Sequence, residues 1–462
     1  MKYIFSIVLT IFITLSLFAQ DQNLRYTDWA YNPNIKSVKL HIDGYPFSYP
    51  ILYLGGNGRL RLSFDELRAD DKSYVYTVVH CDKDWQPSDI PESHYLEGFG
   101  EEDIEESDYS FNTTTLYTHY DLTFPNRDFQ LMLSGNYLLK VYDDEDDKKL
   151  AITRRFIVCD PVTEVNARMI RPSMVSKNRT HQELEFTMLH EEFDVRNPMT
   201  ELSATVLQNG NWLTAVKNVP PRFTRREVQQ FDQRNKFVFE GLKEFRYADI
   251  RGFDVRTSSI HTLEKDKDGV DVYLFTEEKG NGETYFDWID SNGQFVIENK
   301  DGRNFSNSNQ QRDSTVMNAL GEMVTVRMRG GRDGSFFDTQ WRRDSDLESD
   351  YANVFFTLKS STEYYDSDIY IYGALTDWQF KEEFKMVYNP AINAYVAKTE
   401  LKQGYYDYVY AEKPKGKNIP DFETTEGSWY ETENEYLILI YYRPFGGRYD
   451  RIIGVETINS RR

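Results

Sequence analysis

Three short stretches carry residue types that could bind an ion. His80 and Cys81 offer an imidazole and a thiol, but they are neighbours on a run that alternates like a β-strand. Their side chains therefore point to opposite faces and cannot share one metal. Glu264-Lys265-Asp266-Lys267-Asp268-Gly269 has the spacing of the front of a calcium loop, yet Phe275 stands where the bidentate Glu is needed. A charged hairpin turn is expected there instead. The acidic stretch 143–147 reads as a solvated turn whose side chains diverge. Catalytic signatures are missing: there is no Gly-x-Ser-x-Gly elbow, no phosphate loop and no His-Glu-x-x-His. The seven His are scattered, and with 75 Asp plus Glu a close acidic pair carries no information. No catalytic residue, no metal and no cofactor is expected, and the chain is not read as an enzyme.

The elements around these residues are strands. In Thr118–Phe124, Tyr120, Leu122 and Phe124 alternate with polar residues, and Pro125-Asn126 breaks the run. Residues 137–142 and 150–158 follow, separated by the charged turn, and short connections favour antiparallel hairpins. Met132-x-x-Gly135-x-Tyr137 resembles the tyrosine corner of immunoglobulin-like sandwiches, with the ring inside and the hydroxyl bonded back to the backbone. The same spacing recurs at Leu401-x-x-Gly404-x-Tyr406. The fold class expected is all-β, with tandem immunoglobulin-like, early-set type β-sandwich domains.

The 462 residues suit about three domains at ~150 residues each. A formal charge of −21 repels nucleic acid and anionic lipid, so nucleic acid is set aside as a partner. Lys2, the uncharged run 3–18 and Leu17-Phe18-Ala19 read as a signal peptide over 1–19, cleaved before Gln20. The remaining chain is expected to be exported, with no direct membrane insertion. Cys81 and Cys159 are expected as separate thiols, because their faces differ.

Residues 20–160 read as a first β-sandwich, with a long aromatic-rich excursion over 84–106. A second β-rich domain spans 161–299, and 300–350 reads as a linker or extended hairpin. A C-terminal immunoglobulin-like domain spans 351–462. Loop aromatics and Arg are what protein interfaces use. The candidate partner-binding residues are Trp85, Tyr95, Phe99, Trp378, Trp429, Tyr430, Arg443 and Phe445.

Several segments together resemble the type IX secretion system plug protein family of Bacteroidota. They include Trp85, Tyr95-Leu96-Glu97-Gly98-Phe99, Tyr117-Thr118-His119-Tyr120, Phe124-Pro125-Asn126, Ser134-Gly135-Asn136-Tyr137 and Arg154-Arg155-Phe156. Downstream, Glu244-Phe245-Arg246, Gly373-Ala374-Leu375-Thr376-Asp377-Trp378 and 430–436 also look like it. The resemblance implies a periplasmic plug that occludes the periplasmic mouth of a large outer-membrane translocon β-barrel when no cargo-handling partner is docked. Accessory periplasmic subunits are further candidate partners. The 373–378 turn with Tyr406 and Tyr408 is also similar to glycogen-binding early-set modules. The second sugar-stacking Trp of those modules is absent, since 411–416 has no aromatic. A carbohydrate-binding protein is the alternative. An outer-membrane barrel is disfavoured by short strands and a Ser-Arg-Arg end.

Overall fold

The computed structural model describes residues 24–461, apart from 68–71, 147, 255, 268, 281–284, 302–313, 318–322 and 327–344. The expected signal peptide and most of the expected 300–350 linker lie outside the described residues. Within that linker, Ser314–Met317 and Met323–Val326 pair as an antiparallel hairpin. Strand accounts for 49% and helix for 5%, so the protein is mostly β, as its alternating runs require.

The first unit packs two sheets over one core. One face comes from Ile35–Ile42, Leu60–Glu66, Thr118–Phe124 and Glu106–Tyr109. The other comes from Tyr74–Cys81, Gly135–Asp143 and Lys149–Cys159, all antiparallel neighbours. Leu60, Leu62, Phe64, Tyr120, Leu122 and Phe124 meet Tyr74, Tyr76, Tyr137, Leu139, Phe156 and Val158 in a dry interior. Period two dictates this, because every second side chain of each strand faces inward. The Tyr137 hydroxyl donates to Leu133 O at 2.8 Å, and Tyr406 donates to Lys402 O at 2.6 Å. Both motifs thus make the back-bond expected of them.

The sheet pairing does not follow the expected domain boundaries. Glu435–Tyr442 pairs with Leu202–Gln208 and with Arg451–Asn459, so the last two strands complete the second unit rather than the third. There Tyr436, Ile438, Ile440 and Ile453 pack on Leu184, Phe186 and Met188. Conversely, Arg246–Asp249 and Phe295–Ile297 pair with Gly404–Pro414, and Gly269–Leu274 runs parallel to Tyr351–Lys359. The third unit therefore draws on strands from both sides of the 300–350 segment. A boundary drawn from composition assumes that neighbours in sequence share a core, and here the chain leaves the second unit and returns.

The first two units also share one sheet. Lys149–Cys159 meets Arg451–Asn459 at Cys159↔Ile452, giving a ten-stranded sheet. This explains why both faces of 149–159 are apolar. Phe156 and Val158 face the first core, while Ile157 and Cys159 face a second cluster with Leu437, Leu439 and Ile452. Cys81 and Cys159 are both buried free thiols. The 264–269 turn closes the hairpin of Ile260–Asp266 with Gly269–Leu274, where Asp266 Oδ1 accepts from Gly269 N at 3.0 Å.

Candidate partner-binding surface

The eight residues singled out from sequence separate by burial. Trp85 is 4% exposed and sits edge-on to Trp212 at 5.0 Å, with Arg155 over its ring at 5.4 Å. Tyr95 closes the short helix Glu92–Tyr95 and packs against His80 and Tyr137. Trp378 is covered by Phe245 and Tyr372, and the Tyr372 hydroxyl donates to Trp378 O at 2.8 Å. These three therefore do not present an outer surface to a partner, and Trp378, 8% exposed, lines only a cavity of about 140 Å³, too small for a sugar. The loops that carry them fold onto the protein because an aromatic ring in water forfeits its burial energy.

Trp429 and Tyr430 are half-buried in the segment that returns the chain to the second unit. Trp429 N donates to Leu242 O at 2.9 Å, and Arg171 lies over the Tyr430 ring at 4.3 Å. A Cβ at Gly241 would meet Trp429 O at 1.9 Å, so only glycine permits this approach. These contacts make the pair a fastening.

Phe99 and Phe445 are different, at 68% and 100% exposed. The stretch 80–89, which precedes the Phe99 loop in sequence, contacts the turn that carries Phe445. Arg448 pairs with Asp89 at 3.4 Å, and Tyr449 lies edge-on to His80 at 5.4 Å. Asp450 accepts from Lys83 N at 2.9 Å and from Arg443 at 2.8 Å, so Arg443 braces the turn that carries Phe445. Glu201 accepts from Phe445 N at 3.3 Å and holds the other side of that turn. His80 anchors the partner segment. Its Nε2 bonds to Ser134 O at 3.2 Å, which a carbonyl permits only if Nε2–H donates, and its Nδ1 accepts from Ser88 at 2.8 Å. Burial pushes its pKa down to about 4, so the ring is neutral at ordinary pH.

Two exposed apolar residues beside these loops escaped the sequence reading. Met132, 46% exposed, donates its N–H to Tyr95 O, and Met199, 48% exposed, lies in the helix Pro198–Glu201 that ends at Glu201. Both are methionines, outside the aromatic and Arg types that mark an interface in sequence. An exposed apolar set on a braced frame is the pattern of an interaction site.

A second feature was also not anticipated. The outward face of the first unit's polar sheet carries Arg61, Asp65, His119 and Asp121, and the third unit covers it. Asp65 and His119 are cross-strand partners, as are Tyr351 and Lys402. These two pairs meet. Asp65 accepts from Lys402, from Tyr351 and from His119 Nδ1, each at 2.6 Å. Arg61 donates to Asp121 at 2.6 Å and to Asp346 at 2.8 Å. Burial disfavours the imidazolium of His119, but Asp121 and Asp65 outweigh it and push the pKa up to about 9. Burial would raise Asp65 too, but Lys402 and His119 hold it below the usual carboxylate range. Three cations thus balance three carboxylates. His119, Asp121 and Asp346 could in principle surround a metal ion. Arg61 already donates to both carboxylates, so an ion would have to displace a guanidinium, and the cluster reads as an interdomain clamp.

Among the described residues, no helix is long and apolar enough to cross a membrane. A comparison with curated proteins finds no match. The chain is similar to the crystal structure of a hypothetical protein from Parabacteroides merdae, with 28% identity and a TM-score of 0.82, over 95% of this chain and all of that one. Residues 35–160, the first unit described above, match the family model of the type 9 secretion system plug protein 1st domain.

Proposed function

We propose that this chain is a periplasmic plug subunit of a type IX secretion system, which docks on the periplasmic opening of the outer-membrane translocon and blocks it sterically. The observation that carries this reading is the match of residues 35–160 to the plug protein first domain. The architecture supports it. A shared ten-stranded sheet joins the first two units, and a buried charge cluster fastens the third to the first. A gate for a wide aqueous pore must be stiff, and these links resist hinge motion. Occlusion needs no bond chemistry, and the reading assigns no catalytic residue. The candidate contact residues in this reading are the exposed Phe99, Met132, Met199 and Phe445, with Arg443 bracing the turn that carries Phe445.

Deleting the gene in its host tests the reading. Outer-membrane uptake of large antibiotics should rise and return to normal on complementation. Unchanged uptake would count against occlusion.

A further inference from the structure

A cavity of about 140 Å³ lies where the three units meet. Its walls are apolar, with Leu40, Ile51, Leu207 and Leu437 joined by Trp85, Trp212, Phe295 and Trp378. Five charged residues also line it: Lys39, Arg154 and Arg155 against Asp28 and Asp377. Both carboxylates are taken. Arg155 Nη2 bonds Asp28 at 2.5 Å, and Asp377 pairs with Arg154 at 3.4 Å and with Lys381 at 2.7 Å. Lys39 is left over. Its ammonium donates to Phe295 O and lies 4.6 Å from the Phe295 ring centroid, and among the described residues no carboxylate is within ion-pair distance. A second donor is also unmatched, because the buried indole Nε1 of Trp85 has no hydrogen-bond partner.

Unpaired buried donors are costly, and a desolvated ammonium most of all. An acceptor with negative charge in the cavity answers the Lys39 ammonium. The volume sets the size: an apolar cavity of ~150 Å³ takes up benzene, whereas sugars and drug-sized ligands need roughly 300 Å³ or more. We infer that this junction cavity binds a small monocarboxylate bearing one apolar group, of about the size of benzoate or butyrate. Its carboxylate would meet Lys39 and its apolar part the Trp and Leu walls. Such a ligand would bridge all three units, so its binding would stiffen the assembly. The inference goes beyond the plug reading and does not depend on it.

Burial lowers the Lys39 pKa to about 7, against a weaker opposing pull from Asp346, which supplies an independent readout. A bound anion favours the charged amine, so binding at a pH above that value must take up protons. The test is isothermal titration of the full mature chain with benzoate, butyrate, neutral benzamide and benzylamine. Each is run in two buffers of different ionisation enthalpy. Benzoate should bind in the millimolar range or tighter with proton uptake, and benzamide about tenfold more weakly, as loss of a charge-assisted bond implies. Lys39→Met should weaken benzoate about tenfold and leave benzamide unchanged, and Trp85→Phe should weaken benzoate by a smaller factor. Equal binding of benzoate and benzamide, benzoate binding without proton uptake, or no binding of any probe would each overturn the inference. If Lys39→Met does not fold, the charged-versus-neutral comparison on the unaltered protein still decides.

Discussion

Two junctions fasten the units, a clamp between the first and third and a cavity where all three meet, and they differ in charge balance. At the clamp, Arg61, Lys402 and His119 face Asp65, Asp121 and Asp346, and the cations and carboxylates are matched in number. Among the residues lining the cavity, three cations face two carboxylates, and Lys39 is met at contact distance by a carbonyl and two aromatic rings. A matched cluster packs tightly and acts as a fastening. An unmatched one keeps a cavity and asks for a ligand. Net charge at a junction therefore separates structure from binding here.

The largest expected effect comes from unbalancing the clamp. Lys402→Met leaves Asp65, which is 0% exposed, with His119 and Tyr351 as its remaining partners and one carboxylate in excess, and should cost about 3 kcal/mol in urea unfolding. Restoring neutrality with Lys402→Met/Asp65→Leu should recover much of that loss. A single variant as stable as the parent would break the comparison at its stronger end.

Titration of the same cluster comes next. The folded pKa of His119, about 9, lies above its unfolded value of roughly 6.5. Its contribution is therefore fully present below the unfolded value and is lost as pH rises through about 9. The melting temperature should fall over that window, and His119→Asn should flatten the fall. Asp65 has the opposite sign. Its folded pKa is depressed, so its contribution is lost as pH falls through the acid range.

Lys39→Met should behave unlike Lys402→Met. It removes a desolvated cation with no carboxylate to strand, so stability should change by less than ~1 kcal/mol or rise. A loss as large as that of Lys402→Met would erase the distinction between the junctions. The smallest stability effect belongs to the exposed rings. Phe99→Ser with Phe445→Ser should leave unfolding within ~0.5 kcal/mol of the parent, while reducing recovery of the translocon from solubilised envelopes. Unchanged recovery would remove those rings from the docking reading.

Strands of the first unit were legible where one face is apolar and the other polar. Thr118–Phe124 has the bounds that alternation predicts. The clamp was not legible. Arg61, Asp65, His119 and Asp121 alternate with the core residues and read as a solvent face. What buries them comes from far along the chain, with Tyr351 and Lys402 lying 286 and 337 positions from Asp65. For the candidate partner-binding residues, residue type was legible and exposure was not. Phe99 and Phe445 stand exposed, whereas Trp85, Tyr95 and Trp378 fold inward. Residue type alone does not distinguish a ring that seeks a partner from one that packs its own loop. The return of 435–459 to the second unit was hidden for a related reason, since strand pattern carries no address.

The plug reading is tested most directly by affinity purification of the tagged protein from detergent-solubilised envelopes, followed by mass spectrometry. The account predicts recovery of a very large outer-membrane β-barrel in near-equal amount. Recovery of this chain alone, with no barrel, would contradict it.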